Sequence, residues 1–370
     1  MVKKFFNRKK NELEEFLREN RSYMMPMIII GGFVIDNLTL RQIDRIFDNL
    51  VLIIHLLIVA FTIAILFSSH TKLGEKFRIE YRKSTISAIM LFSFGGLFSG
   101  FVVFYSRSGS LISSWPFILA MLLLMLATEV KKQYYEKIIL QITIFYIALF
   151  SYLIFSVPII VKKMGPEIYI LSGVISLILA MLYFGLLKKI SRSKFKENKR
   201  KLFAQIFSTF IIFNLLYFTN IIPPIPLSLK FHGIYHDFSR VQSAQYSGFY
   251  EPSPAWKFWD KRSRVFHRTS GEAVYVYTQV YAPVNLSIDI YHKWEYFDPT
   301  LTRWVPKDQI RIPITGGRLE GYRGFSRKMN IYPGSWRVRV TTDRNQTLGQ
   351  ITFKIKNVDE PVDLEKEVFN

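Results

Sequence analysis

The sequence predicts an α-helical transmembrane bundle of seven spans, N-terminus inside, followed by an all-β, immunoglobulin-like antiparallel sandwich domain. Three observations carry this. Seven apolar stretches lie within the first 222 residues, Lys and Arg crowd the segments on alternate sides of them, and past a Pro-rich stretch the apolar spacing changes to every second residue.

A helix needs roughly 20 mostly apolar residues to cross about 30 Å of hydrocarbon. The expected spans run from Met24 to Leu40, Leu50 to Ser68, Ser84 to Tyr105, Ser110 to Thr128, Ile138 to Val161, Ile168 to Leu187 and Leu202 to Ile222. The first is short and holds Asp36; no small-residue cleavage site ends its apolar run, so it reads as an uncleaved signal anchor. Segments 1–23, 69–83, 129–137 and 188–201 hold 7, 5, 3 and 8 basic residues, against 2, 1 and 2 in the intervening loops. Basic loops stay cytoplasmic, so the N-terminus is inside and an odd number of spans delivers the C-terminal domain outside. The resulting organisation is a basic cytoplasmic segment (1–23), the bundle (24–222), a Pro-rich hinge (223–230), an extracytoplasmic sandwich (231–357) and an acidic tail (358–370).

The formal charge of +21 would suggest nucleic acid for a soluble protein, but 23 of the 49 basic residues are topology signals in those cytoplasmic segments. Their expected partner is the anionic bilayer surface, and nucleic acid is excluded from a domain outside the cell membrane. The run Lys188 to Lys201 reads as a solvated loop. No cysteine is present, so the outer domain must be held by its core.

Within the bundle, Gly95, Gly96 and Gly100 sit at a helical spacing that admits a close neighbour, and Tyr105, Trp115 and Tyr217 are placed as interfacial anchors. Polar groups at membrane depth need partners and mark places to look for function; here they are Asp36, His55, Gln141, Asn214 and Asn220. Asp36 and His55 lie near the same outer surface and can pair across the turn around Arg41 to Asn49. A structural ion pair is the plain reading; a ligand or proton site involving Asp36, His55 and Asn214 is the sharper one.

The hinge carries Pro223, Pro224 and Pro226, whose fixed backbone angle favours an extended, semi-rigid spacer. Beyond it, Val274, Val276 and Val280 alternate with Tyr275, Tyr277 and Tyr281. Leu286, Ile288, Ile290, His292 and Trp294 share a face; Trp336, Val338 and Val340 oppose Arg337 and Arg339; Ile351, Phe353 and Ile355 oppose Thr352, Lys354 and Lys356. Such alternation reads as strands with one buried face. The turn Asp343 to Gln346 makes the last two a hairpin, with Asn345 able to adopt the left-handed conformation.

The stretches GGFVIDNLTLRQID, IPPIPLSLKFHGIYH, and IYHKW through GFSRKMNIYPGSWRVRVTTDRNQTLG resemble a family of bacterial integral membrane proteins of unassigned function. In that family a helical membrane region precedes a C-terminal extracytoplasmic β-domain. The resemblance implies a location in the bacterial cytoplasmic (inner) membrane and supplies no chemistry. Where members often have Gly in the final hairpin, this chain has Asn345.

No catalytic residue, metal site or cofactor follows from the sequence. Of His232, His236, His267 and His292, the first two are four apart, which does not make them neighbours on a strand, and no Cys completes a ligand set. His292 is expected at the core rim with a ring nitrogen on backbone. Asp289, Glu295, Asp298 and Asp308 are dispersed, and no G-x-S-x-G elbow is present. Between Ser228 and Asn357 there are 20 Lys/Arg against 10 Asp/Glu. Arg303, Arg323, Arg327, Arg337, Arg339 and Tyr322 are therefore the candidate binding surface for an envelope protein, an acidic glycan or a lipid headgroup. The alternatives are a basic sheet face lying against anionic headgroups and, for the whole chain, a transporter or membrane sensor.

Overall fold

The structure, a computed structural model, describes residues 31–40, 45–69, 71–108, 111–130, 137–223, 226–242, 245–254, 261–283, 286–315 and 321–369. Residues 24–30 of the first expected span lie outside these, and residues 31–39 are helical. The helices that follow are α1 (Ile46–Phe67), the short α2 (Lys72–Lys76), α3 (Ile79–Ser108), α4 (Leu111–Val130), α5 (Ile138–Val161), α6 (Pro166–Ile190) and α7 (Arg192–Phe218). Five of them, α1, α3, α5, α6 and α7, are long and apolar enough to cross a membrane, and α4 has an apolar stretch at Ser114–Leu126. The basic run Lys188 to Lys201, expected as a loop, is helical on both sides of Ser191. Lys, Arg and Glu are good helix formers, so charge alone does not break a helix.

The chain divides into two compact units, one of residues 1–104, 116–156 and 171–214, the other of 105–115, 157–170 and 215–370. In the first, α1 shows how a uniformly apolar helix sorts its faces. Leu52, Leu56, Val59 and Ile63 are buried, whereas Leu50, Ile53, Leu57 and Phe61 are exposed and apolar, as a lipid-facing stripe would be. The close approach expected at the glycines is present at two of them: a Cβ on Gly96 would lie 3.0 Å from His55 Nε2, and one on Gly100 2.9 Å from Leu52. Phe150 stacks on Phe213 at 4.8 Å, and Tyr183 Oη donates to the Ala60 carbonyl at 2.7 Å, tying α6 to α1.

In the second unit, eleven strands are described: β1 (Ser228–Tyr235), β2 (Asp237–Gln242), β3 (Gln245–Tyr250), β4 (Val265–Arg268), β5 (Val274–Tyr281), β6 (Ser287–Asp298), β7 (Arg303–Thr315), β8 (Tyr322–Lys328), β9 (Gly334–Thr342), β10 (Thr347–Asn357) and β11 (Glu365–Phe369). They form sheets of order β1-β5-β8, β4-β10-β9-β6-β7 and β11-β3-β2. All pairs are antiparallel except β4–β10. The first two sheets share a core of Ile234, Val274, Val276, Trp294, Trp336, Val338, Phe353 and Ile355. The hairpin β9–β10 forms with Asn345 at φ 65°, as the turn requires.

Two expectations are corrected here. The tyrosine face of β5 is also covered: Tyr277 is fully buried in a cluster with Tyr235, Phe238 and Tyr250, packed by Phe369, so this strand buries both faces. Residues 358–370, expected as an acidic tail, include β11, which pairs with β3 from Glu365↔Tyr250 to Phe369↔Tyr246. Within this unit the β9–β10 turn meets residues 217–220. Arg344 lies 4.2 Å above the Tyr217 ring, and the Asn220 side chain donates to the Arg344 carbonyl at 3.3 Å.

Candidate functional site

The outer face of the five-stranded sheet is set by register. Gln309, Lys293, Arg339 and Gln350 lie in one row across β7-β6-β9-β10, and Glu295, Arg337 and Thr352 lie in the next. Alternation puts these side chains opposite Trp294, Trp336 and Val338, so the core fixes which residues reach this face. Glu295 sits between the two arginines with a side chain only 5% exposed. It accepts from Arg337 Nε at 2.6 Å and from Arg339 Nε at 3.1 Å, and Arg339 Nη2 also bonds it. Arg337 stacks over Trp304 at 4.4 Å, and Trp304 meets Phe297 edge-on at 5.4 Å. Lys293 donates to Asn345 Oδ1 at 2.8 Å, and burial together with the Arg339 charge pushes its pKa down. The face is thus a row of immobilised guanidinium planes beside an indole, suited to polar recognition.

The six residues expected as one surface separate onto two sheets. Arg337 and Arg339 stand together, and Arg303 is exposed at the start of β7. Tyr322, Arg323 and Arg327 belong to β8 in the other sheet. There Tyr322 packs on the core, Arg323 is nearly buried, and Arg327 lies 5.7 Å above Tyr275.

A constellation that sequence reasoning missed surrounds His236, whose side chain is 5% exposed. Its Nδ1 lies 2.5 Å from Glu272 Oε1 and its Nε2 2.9 Å from Glu251 Oε1. Glu251 also accepts from the His267 backbone N–H at 2.5 Å and contacts His267 Nδ1 at 2.7 Å. The His236 ring stacks on Phe266 at 3.9 Å. With a carboxylate at each nitrogen, both must carry hydrogen, so the ring is an imidazolium. Burial alone would lower the His236 pKa; the hydrogen bonds and charges of Glu251 and Glu272 outweigh it and raise the pKa. For Glu251, burial opposes ionisation, but hydrogen bonds from His236 and His267 bring its pKa below the ordinary value. His232 is exposed on β1 and is not part of this group. Among the described residues, no group of three or more His, Cys, Asp and Glu is arranged to hold a metal ion. The only advance signal was the period of β1 and the histidine itself; its acids lie 15 and 36 residues away.

His292 is in the core, not at its rim. It is fully buried, with ring nitrogens 2.9 Å from Thr278 Oγ1 and 2.8 Å from Ser326 Oγ rather than on backbone. Burial holds its pKa down at about 3, so it is a neutral structural group.

In the helical unit, Asp36 and His55 lie close enough to interact electrostatically. His55 Nδ1 is buried without a hydrogen-bond partner among the described residues, and its ring is 6.0 Å from Phe92. Asn214 bonds its own helix instead, donating to the Phe210 carbonyl at 2.8 Å.

A family of proteins of unknown function, DUF2914, matches residues 288–355. That match runs from β6 to β10. It contains Glu295, Trp304, Arg337 and Arg339, and none of the helices. No curated protein matches the chain. Among solved structures, Pseudomonas fluorescens alkylpurine DNA glycosylase AlkC bound to DNA containing an abasic site analog aligns with a TM-score of 0.21 and 11% identity, over 85% of this chain and 99% of that one. A TM-score that low lends neither fold nor function.

Proposed function

We propose that the chain is a noncatalytic envelope protein of the bacterial cytoplasmic membrane. Seven spans, with the N-terminus inside, hold an immunoglobulin-like sandwich next to the outer face of the membrane. There the sandwich acts as an interaction module for another envelope component: a protein, an acidic glycan or a lipid headgroup. Five membrane-length helices and the β-rich unit support the architecture, and the alternating basic loops support the orientation. The observation that carries the binding role is the Glu295-ordered pair Arg337 and Arg339 beside Trp304. Rigid aromatic and arginine groups lose little freedom on binding, which is why they dominate recognition surfaces.

Crosslinking of the tagged full-length protein in intact cells, followed by purification in detergent, tests this. A partner should be recovered by the wild type, weakened in Trp304→Ala and lost from a variant ending at Ile222. A partner retained by the truncated bundle would move the function into the membrane. Charge reversal of Arg337 and Arg339 is a poor test, because it would set carboxylates against the buried Glu295.

One observation favours a transporter or sensor as the second reading: the unpaired Nδ1 of His55 beside the charge of Asp36. A chromosomal deletion whose phenotype is rescued by the wild type but not by normally inserted Asp36→Asn would support it. Equal rescue would leave Asp36 structural.

A further inference from the structure

The cations of the outer face continue past Arg337 and Arg339 as a ladder. On β10 the outward positions after Gln350 and Thr352 are Lys354 and Lys356, because alternation turns Ile351, Phe353 and Ile355 toward the core. Lys354 is level with Ser335, two residues before Arg337 on β9. Successive rows therefore hold Arg339, Arg337, Lys354 and Lys356. Neighbouring rows are two residues apart, or about 7 Å at the rise of a strand, so the ladder spans about 20 Å.

Charge along the ladder is lopsided. Arg337 and Arg339 share the one carboxylate of Glu295, and Lys293 adds a cation to the Arg339 row. Lys354 and Lys356 are exposed, and neither is ion-paired among the described residues. Between the cations stand groups that hydrogen-bond without charge: Gln350 is level with Arg339, and Thr352 with Arg337. On the β7 side the half-buried Trp304, held between Phe297 and Arg337, supplies an apolar platform. The guanidinium groups are fixed by Glu295 before any ligand arrives, so little freedom is lost when one binds.

Resting on the reading of this face as a recognition surface, we propose that the ladder binds an acidic polysaccharide, a polymer of sugar acids, as an extended chain. Regularly spaced cations suit a ligand whose anions repeat, and the carboxylate of a sugar acid fits the planar fork of a guanidinium. Ring hydroxyls match Gln350 and Thr352, and the C–H face of a sugar ring packs on an indole such as Trp304. A protein partner calls for an apolar centre to the interface, whereas the outward positions from Arg339 to Lys356 are polar. A lipid headgroup, like other small ligands, calls for a concave site, whereas these rows lie along two adjacent strands on one face of a sheet.

The test titrates the full chain in detergent, calorimetrically and at low salt, with a long oligogalacturonate, the galacturonate monomer, the methyl-esterified long oligomer and poly-L-glutamate. The long oligomer should bind saturably. The monomer, which meets the rows singly, and the uncharged ester should each bind at least about 10-fold more weakly. Lys354→Gln and Lys356→Gln should each weaken the long oligomer by about 3-fold and Trp304→Ala by about 10-fold, with the control Lys366→Gln on β11 within about 1.5-fold of wild type. The three lysines are exposed, so folding is preserved, and a thermal melt verifies it. Equal affinity for poly-L-glutamate would overturn the polysaccharide in favour of an acidic protein, and equal losses in Lys366→Gln would overturn the ladder. If the long oligomer does not bind while the partner crosslinked in cells is still weakened by Trp304→Ala, the polysaccharide falls and the recognition face stands. If Trp304→Ala keeps that partner as well, both fall.

Discussion

Removing the imidazole of His236 should destabilise the β-rich unit more than any change on its outer face. In His236→Ala, Glu251 and Glu272 lose the cation between them while their side chains stay 9% and 21% exposed. Two hydrogen bonds to charged groups contribute about 1.5–3 kcal/mol each. Breaking a buried ion pair from one side costs about 3–5 kcal/mol. The two routes overlap at about 3–5 kcal/mol, and the lost stacking on Phe266 adds to it. For a domain of this size that lowers the melting temperature by roughly 10 °C.

The pH dependence carries its own sign. The His236 pKa is raised in the folded state, so its contribution is complete below the unfolded value of 6.5 and is lost as pH rises through the folded value. The Glu251 pKa is lowered, so its contribution is present above 4.5 and is lost as pH falls through the folded value. The network is therefore strongest between those two values and weakens on the alkaline side. The buried Trp294 and Trp336 report unfolding by fluorescence in urea, with the full-length protein in detergent. The alkaline loss seen in the wild type should be absent from His236→Ala, while exposed His232→Ala should stay within about 0.5 kcal/mol of wild type. A His236→Ala protein with unchanged midpoint, or a wild type that gains stability from pH 6.5 upward, would refute the imidazolium assignment.

Ser326→Ala takes a partner from His292 Nδ1 and from Trp294 Nε1, which donates to Ser326 Oγ at 3.1 Å; a loss of about 2–4 kcal/mol should appear in urea denaturation. The His292 ring should show no titration by NMR from about pH 5 to 9, because burial keeps its pKa near 3. Arg337→Ala and Arg339→Ala should be non-additive, since either arginine alone still neutralises Glu295; a double-mutant cycle should return about 1–3 kcal/mol of coupling. Gly324→Ala places a methyl 2.5 Å from Ile312 Cγ2 and should cost about 1–3 kcal/mol through overpacking, measured by thermal melting.

How far the fold could be read from the chain depends on the range of the interactions that built each part. The Val/Tyr alternation of β5, the Trp336–Val338–Val340 face and the Asn345 turn were legible, because period two and turn chemistry are local. The third sheet was not. Strands β2 and β3, DFSRVQ and QYSGFY, are rich in Ser and Gln, and only Phe238, Tyr246 and Tyr250 signal a buried side. Strand β11, EKEVF, has the composition of a solvated tail. Its acids nonetheless accept from tyrosines, Glu367 from Tyr235 at 2.9 Å and Glu365 from Tyr250 at 2.6 Å, so charge here marks an interface. The Tyr250 hydroxyl is accordingly pushed up to about 12, chiefly by its hydrogen bond to Glu365.

The same distinction governs the functional reading. A count of 20 basic against 10 acidic residues suggests a broadly cationic domain, but cross-strand geometry commits many of those charges internally. Arg337 and Arg339 clasp Glu295, Arg311 meets Asp289 at 2.7 Å, and Lys328 bonds Asp308. Glu295 and Arg337 are opposite in register, Arg339–Glu295 and Arg311–Asp289 are diagonal across neighbouring strands, and Lys328–Asp308 joins two sheets, all pairings that composition treats as independent. A binding surface should therefore be sought where basic side chains converge without an acid across from them, not where arginines are most frequent in the chain. The Arg337–Arg339 face sets two guanidinium groups against the single carboxylate of Glu295, with Lys293 in the adjoining row, so it offers ordered planes beside Trp304 together with a residual positive charge. Binding of an acidic partner at this face should accordingly weaken as ionic strength rises, while the part contributed by the Trp304 indole should persist.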